Sequence, residues 1–215
     1  MANMESENRV NNVKSIPVHF RLKGSRTYIH GTDMYGVFMA HVPGVSTSAG
    51  VGALRMTIHR MAARQSDIVV LGPHVEAVRP PNAYAEFSCE TPGGVARSYL
   101  IETGSIVTEC YSYEEERIEN LCRIDENRIA IDGDSGYAPI EVVVAMNKRL
   151  HNTLFPLNEE RWMFTRIELS RPLQPADARQ FCVTFLQRLG VKLSRSAIVV
   201  DGQAIGHIYF SAVPK

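Results

Sequence analysis

The chain has 215 residues, 45% of them apolar, and its 23 Lys and Arg balance 23 Asp and Glu, leaving no formal net charge. That balance argues against nucleic acid or an anionic membrane surface as the partner, and the apolar content suffices for the core of one larger domain or two small ones. No window reaches the roughly 18 consecutive apolar residues that a spanning helix needs.

The opening MANMESENRVNNVKS is polar and lacks an apolar leader. Residues 1–15 are therefore expected to form a flexible N-terminus, and the protein is expected in the cytoplasm. In the first half a short strand ends at the Gly31 turn, and GVGALRMTIHRMAAR (50–64) reads as a helix. Val51, Leu54, Ile58 and Met61 fall at helical spacing there, and Ser46 to Ser48 offer capping hydroxyls. Strands DIVVLGPHVEAVR, AYAEFSCE and RSYLIETGSIVTECYSY follow. In the second half PIEVVVAMNKRLHNTLF is the helix, with Pro139 at its first position, Ile140, Val143, Val144, Leu150 and Leu154 on its apolar stripe, and Asn147 on the same stripe. Strands WMFTRIELSRP, ARQFCVTFLQRL and SRSAIVVDGQAIGHIYFSAV complete the chain. The last of these turns at Asp201-Gly202, a dipeptide whose tolerance of positive φ suits a tight hairpin.

The halves resemble each other. RSYLIETGSIVTECY (97–111) lies on RSAIVVDGQAIGHIY (195–209) without a gap at a shift of 195 − 97 = 98, with Arg97/Arg195, Ser98/Ser196, Gly104/Gly202 and Tyr111/Tyr209 identical. VEAVRP (75–80) matches IELSRP (167–172), and RTYIHGTDMYG (26–36) matches RIAIDGDSGYA (128–138), in the same order. Ordered matches at similar shifts indicate two copies of one module. The expected organisation is a first unit over 16–120 and a second over 121–215. A long helix wrapped by an antiparallel sheet, occurring twice, is the outline of an α+β tandem (double) hotdog.

At Val37-Phe38-Met39-Ala40-His41-Val42-Pro43-Gly44, followed after five residues by Gly50-Val51, the chain resembles the Phe-Phe-x-Gly/Cys-His-Phe-Pro-Gly signature of the 3-hydroxyacyl-acyl carrier protein dehydratases, which are hotdog proteins. The resemblance implies His41 as catalytic base, a carbonyl-binding helix start near Gly50 and Val51 with Gly44 in the turn before it, and a site formed between two units. A helix N-terminus has unpaired N–H groups suited to a developing enolate, and an imidazole can take the α-proton near neutral pH. The family's helix acid falls at Arg55, whose guanidinium could instead bind a carboxylate or phosphate, and Asn147 of the second copy matches a family amide. A second resemblance is that of YIHGTDMYGVFM to the Asp-Thr-Asp-x-x-Gly-Val-Val-Tyr segment of 4-hydroxybenzoyl-CoA-type thioesterases, which implies Asp33 as the carboxylate that attacks the thioester or activates water.

Dehydratase-like chemistry on an acyl thioester is thus the leading expectation, with a thioesterase using Asp33 and a non-catalytic acyl-binding protein as alternatives. The implied partner is acyl-CoA or an acyl carrier protein, the acyl group being carried on coenzyme A or phosphopantetheine with no further cofactor. A homo-oligomer through exposed sheet edges is compatible with the fold. Cys89, Cys110, Cys122 and Cys182 show no metal-type spacing and read as structural thiols.

Overall fold

Strict alternation of burial marks the strand at 193–200, where Ser194, Ser196, Ile198 and Val200 face inward while their neighbours are partly exposed. The structure, a computed structural model, describes residues 13–42, 51–72, 75, 78–190 and 192–214. It divides into two units, Met1–Tyr111 and Ser112–Lys215, each an antiparallel sheet with a helix laid on it, so the architecture is an α+β tandem double hotdog.

The first unit contains β1 (Val13–Val18), β2 (Leu22–Lys23), α1 (Gly31–His41), β3 (Leu54–Ile58), β4 (Arg64–Leu71), β5 (Ala83–Thr91), β6 (Gly94–Ile106) and β7 (Cys110–Tyr111). Five of these make an antiparallel sheet in the order β1-β4-β6-β5-β3, and β2 and β7 form a separate parallel pair. Helix α1 buries Met34, Tyr35 and Phe38, one stripe at helical spacing, and the Phe38 ring stacks on Phe87 of β5 at 5.1 Å.

The second unit contains a short α2 (Glu115–Glu119), β8 (Cys122–Asp125), β9 (Arg128–Ile131), α3 (Pro139–Leu154), β10 (Glu160–Leu169), a 3-10 turn at Pro175–Arg179, β11 (Phe181–Leu189), β12 (Leu193–Val200) and β13 (Gln203–Pro214). Its sheet order is β10-β13-β12-β11-β9-β8. Helix α3 is buried continuously from Val142 to Asn147, as befits a helix wrapped by its sheet. Pro139 needs no donor at the first position, and the Glu141 carboxylate accepts the Ala138 N–H at 3.0 Å. The expected hairpin is present, with φ of 49° at Asp201 and 75° at Gly202.

The helix expected over 50–64 is not there. Leu54–Ile58 is a strand paired with Cys89–Ala85, and the helix of the first unit lies upstream at Gly31–His41. Leu54, Met56 and Ile58 alternate as well as they fit a helical stripe, and the exposed backbone edge of β5 decides between the two periods. The first-unit helix was masked in the sequence by Gly36 and by Val37 and Tyr35, which are weak helix formers.

The duplication is imperfect in a specific way. Strands β6 and β12 occupy the same place in their sheets, in line with the match of 97–101 to 195–199. The strand on the far side of β12 is the later β13, joined by the Asp201-Gly202 hairpin, whereas the strand on the far side of β6 is the earlier β5. Gly104 accordingly sits inside an unbroken strand. The VEAVRP match does not hold either: Val78 to Pro80 lie between β4 and β5, while Ile167 to Leu169 belong to β10. Tyr35 is on α1, but its aligned partner Tyr137 precedes α3.

The core of the second unit closes around an imidazole. The His151 Nδ1 donates to the Asn147 carbonyl at 2.7 Å, and its Nε2 lies 2.6 Å from the Ser194 hydroxyl. Phe155, Trp162, Phe185 and Phe210 surround the ring. Burial pushes this imidazole down from 6.5 to about 4. The unfolded chain therefore takes up a proton on this group below about pH 6.5 that the folded chain refuses until about pH 4. Its contribution, about 3 kcal/mol, is present above pH 6.5 and is lost as pH falls through 4. Denaturant unfolding between these pH values should show stability falling with acidity, and His151→Leu should flatten that slope. Gly206 is a second sensitive point, because a Cβ there would lie 2.0 Å from the Glu168 carbonyl oxygen. Gly206→Ala is expected to destabilise by about 3 kcal/mol, measured by the unfolding midpoint.

Candidate active site

The head of α1 carries a polar cluster that begins with a buried lysine. Lys23, in β2, is 0% exposed. The parallel pair sets it opposite Tyr111 of β7, locked by the Leu22 amide to the Glu109 carbonyl at 2.7 Å and the Gly24 amide to the Tyr111 carbonyl at 2.8 Å. Gly24, with φ of 60°, lets the chain turn immediately after β2. An ammonium withdrawn from water must meet charge and acceptors. Lys23 Nζ donates to the Thr32 hydroxyl at 2.6 Å, lies 3.4 Å from Asp33 Oδ1 and is 5.8 Å from the Tyr111 ring centre.

Asp33 stands in the first turn of α1, where the helix dipole favours a carboxylate. Its Oδ1 also accepts the Tyr111 hydroxyl at 2.7 Å. The Asp33 side chain keeps 22% of its surface exposed, while its Oδ2 atom is buried. His30, the residue before the helix, places Nδ1 2.8 Å from the Thr32 hydroxyl, and no side chain caps the helix start. The amides of Asp33 and Met34 donate to the His30 carbonyl at 3.0 and 3.2 Å. Those of Gly31 and Thr32 come before the helical ladder begins. Arg21 lies over the Tyr111 ring at 5.2 Å.

His41 is the last residue of α1, two turns and roughly 12 Å along the axis from Asp33. Its Nδ1 donates to the Val37 carbonyl at 2.9 Å, leaving Nε2 as the basic atom. Val51 precedes β3 without helical structure. Gly44 and Gly50 lie outside the described residues. Arg55 is exposed on β3. Asn147 belongs to the second unit, fully buried in α3, and neither polar atom of its side chain finds a partner among the described residues. Glu141, the nearest acid on α3, is occupied as a cap.

Sequence reasoning missed Lys23, Thr32 and Tyr111. Lys23 sits among Arg21, Gly24 and Arg26, a run that reads as solvated, and the pairing of β2 with β7 brings Tyr111 to it and to Asp33 across the length of the unit. One signal was present: Tyr111 and its aligned partner Tyr209 both donate their hydroxyls to a carboxylate, Asp33 and Glu168 respectively. Among the described residues no three His, Cys, Asp or Glu side chains converge as a metal-ligand group, and no helix is long and apolar enough to cross a membrane.

No protein-family model matches the chain, and no curated protein matches it significantly. Among solved structures it is similar to the dehydratase domain from the CurK module of curacin polyketide synthase, at 10% identity, 96% of this chain and 94% of the other, with a TM-score of 0.48. The CurF-module dehydratase domain gives 7% identity, 96% and 95% coverage and a TM-score of 0.47. An acyl-ACP thioesterase from Bacteroides thetaiotaomicron gives 10% identity, 94% and 98% coverage and a TM-score of 0.43. The fold assignment rests on the strand order and helix placement of the chain itself.

The cluster makes a stability prediction. Asp33→Asn removes the negative charge 3.4 Å from the buried Lys23 ammonium and should cost about 3 kcal/mol. Adding Lys23→Met to it should recover part of that loss, so the two changes couple in a double-mutant cycle of denaturant unfolding. Additive effects would show that the pair does not interact.

Proposed function

We propose that the first unit hydrolyses acyl thioesters, with Asp33 as the group that activates water. The observation that carries this reading is the placement of the Asp33 carboxylate in the first turn of α1, held by the Tyr111 hydroxyl and the buried Lys23 ammonium. The helix begins at Gly31, as the thioesterase resemblance of YIHGTDMYGVFM requires. The His41 reading needs a helix N-terminus after the histidine, and Leu54–Ile58 of the helix expected there is a strand.

In the proposed step the thioester carbonyl oxygen faces the leading amides of α1, which carry the negative charge it acquires. Asp33 takes a proton from water as the water oxygen bonds to the carbonyl carbon. The C–S bond then breaks, the sulfur leaves with its electron pair, and the proton passes from Asp33 to the thiolate, giving a carboxylic acid and a free thiol. Lys23 and Tyr111 act as positioning residues, fixing the Oδ1 oxygen of the carboxylate. The substrate class is an acyl group on coenzyme A or on the phosphopantetheine of a carrier protein.

The second unit lacks this arrangement at its helix head: Pro139 has no N–H to offer, and Glu141 already accepts the Ala138 amide. We assign the reaction to the first unit for that reason. Thiol release from a panel of acyl-CoA substrates, followed with a chromogenic disulfide, tests the assignment. Asp33→Asn, checked for folding by circular dichroism, should lose about 100-fold or more of the rate, while His41→Ala should retain it. Loss of water from a 3-hydroxyacyl thioester that depends on His41 and not on Asp33 would reverse the assignment in favour of a dehydratase. Tight binding of acyl-CoA without turnover would leave an acyl-binding protein.

A further inference from the structure

A stripe of polar side chains runs through the core of the second unit, between α3 and β12. Asn147, His151, Ser194 and Ser196 are each 0% exposed. Two of them satisfy each other, since His151 Nε2 lies 2.6 Å from the Ser194 hydroxyl. The other two do not: Asn147 Oδ1, Asn147 Nδ2 and Ser196 Oγ have no hydrogen-bond partner among the described residues.

Chain direction brings these two residues to one level. Arg179, just before β11, is paired with Asp134, just before α3, and Phe181 at the start of β11 pairs with Val200 at the end of β12. The head of α3 therefore lies toward the Val200 end of β12, while His151, near the tail of the helix, meets Ser194 near the other end. Asn147 stands one turn nearer the head than His151, about 6 Å along the axis. Ser196 stands two residues nearer Val200 than Ser194 on the same inward face, about 6.6 Å along the strand. The two steps match, so Asn147 and Ser196 lie at one level of the α3–β12 interface without bonding to each other.

We propose that one water molecule is bound between Asn147 and Ser196. A buried donor or acceptor left unpaired is costly, and three such atoms at one level call for a shared partner. A buried water makes about three hydrogen bonds, which matches the three orphaned atoms. The amide supplies both donor and acceptor and the hydroxyl can act as either, so the protons and the lone pairs of the water are both used. The enclosure sets the size of the occupant: Val143, the next turn of α3, and Ile198, the next inward residue of β12, are also 0% exposed. The site shares no residue with the Asp33 cluster and stands apart from thioester hydrolysis.

A high-resolution crystal structure of the full-length protein tests it. A single solvent peak should lie within about 3.2 Å of the Asn147 amide group and the Ser196 hydroxyl. Oxygen-17 relaxation dispersion counts the long-lived internal waters of the same protein in solution. Ser196→Val and Asn147→Leu, each checked for folding by circular dichroism, should each lower that count by about one. An Asn147 amide bonded directly to protein groups with no peak beside it, density of a larger molecule at that place, or a count that both substitutions leave unchanged would overturn the proposal.

Discussion

A lysine ammonium fully removed from water is the constraint around which the first unit is organised. Its solvation cannot be recovered from apolar neighbours, so the fold must bring a counter-charge and acceptors to it or lose several kcal/mol. Thr32, Asp33 and Tyr111 meet that requirement, and each comes from an element that would otherwise be free to shift: the head of α1 and the short strand β7. The result is a carboxylate whose position is set by structural necessity. A group fixed in that way needs little reorganisation when a substrate arrives, which is the condition electrostatic catalysis depends on.

The two units solve the problem of a helix head differently. In the second, proline and a capping glutamate close it, and the buried polar groups of α3 turn inward, His151 to Ser194 and to an aromatic enclosure. In the first, no side chain caps the helix start, and the acidic residue of the first turn is drawn to Lys23 and Tyr111. Duplication has thus given two units whose helix heads are held by different polar groups. The interchange of strand order beside β6 and β12 shows that the copies also diverged in connectivity while keeping the same sheet positions.

Much of the fold was legible because it depends on local signals. Runs of apolar and β-branched residues disclosed β5, β10, β11 and β12, Asp201-Gly202 disclosed the hairpin, and Pro139 with its valine-rich stripe disclosed α3. Helix α1 was not legible, since Gly36 and aromatic residues lower its intrinsic preference and its stability comes from packing on β5. The same ambiguity made 54–58 look helical. Of the site, Asp33 was visible as a residue type in a family-like segment, but its partners were not. Lys23 and Tyr111 meet through pairing of two-residue strands far apart in sequence, for which no periodic pattern exists.

A structure of the protein bound to a non-hydrolysable thioether analogue of an acyl-CoA tests the central claim most directly. The account predicts the acyl end of the ligand at the first turn of α1, with its polar atoms about 3 Å from the Asp33 carboxylate or the leading amides of the helix. A ligand seated instead at the C-terminal end of α1 beside His41, with Asp33 still sealed against Lys23 and Tyr111, would contradict it.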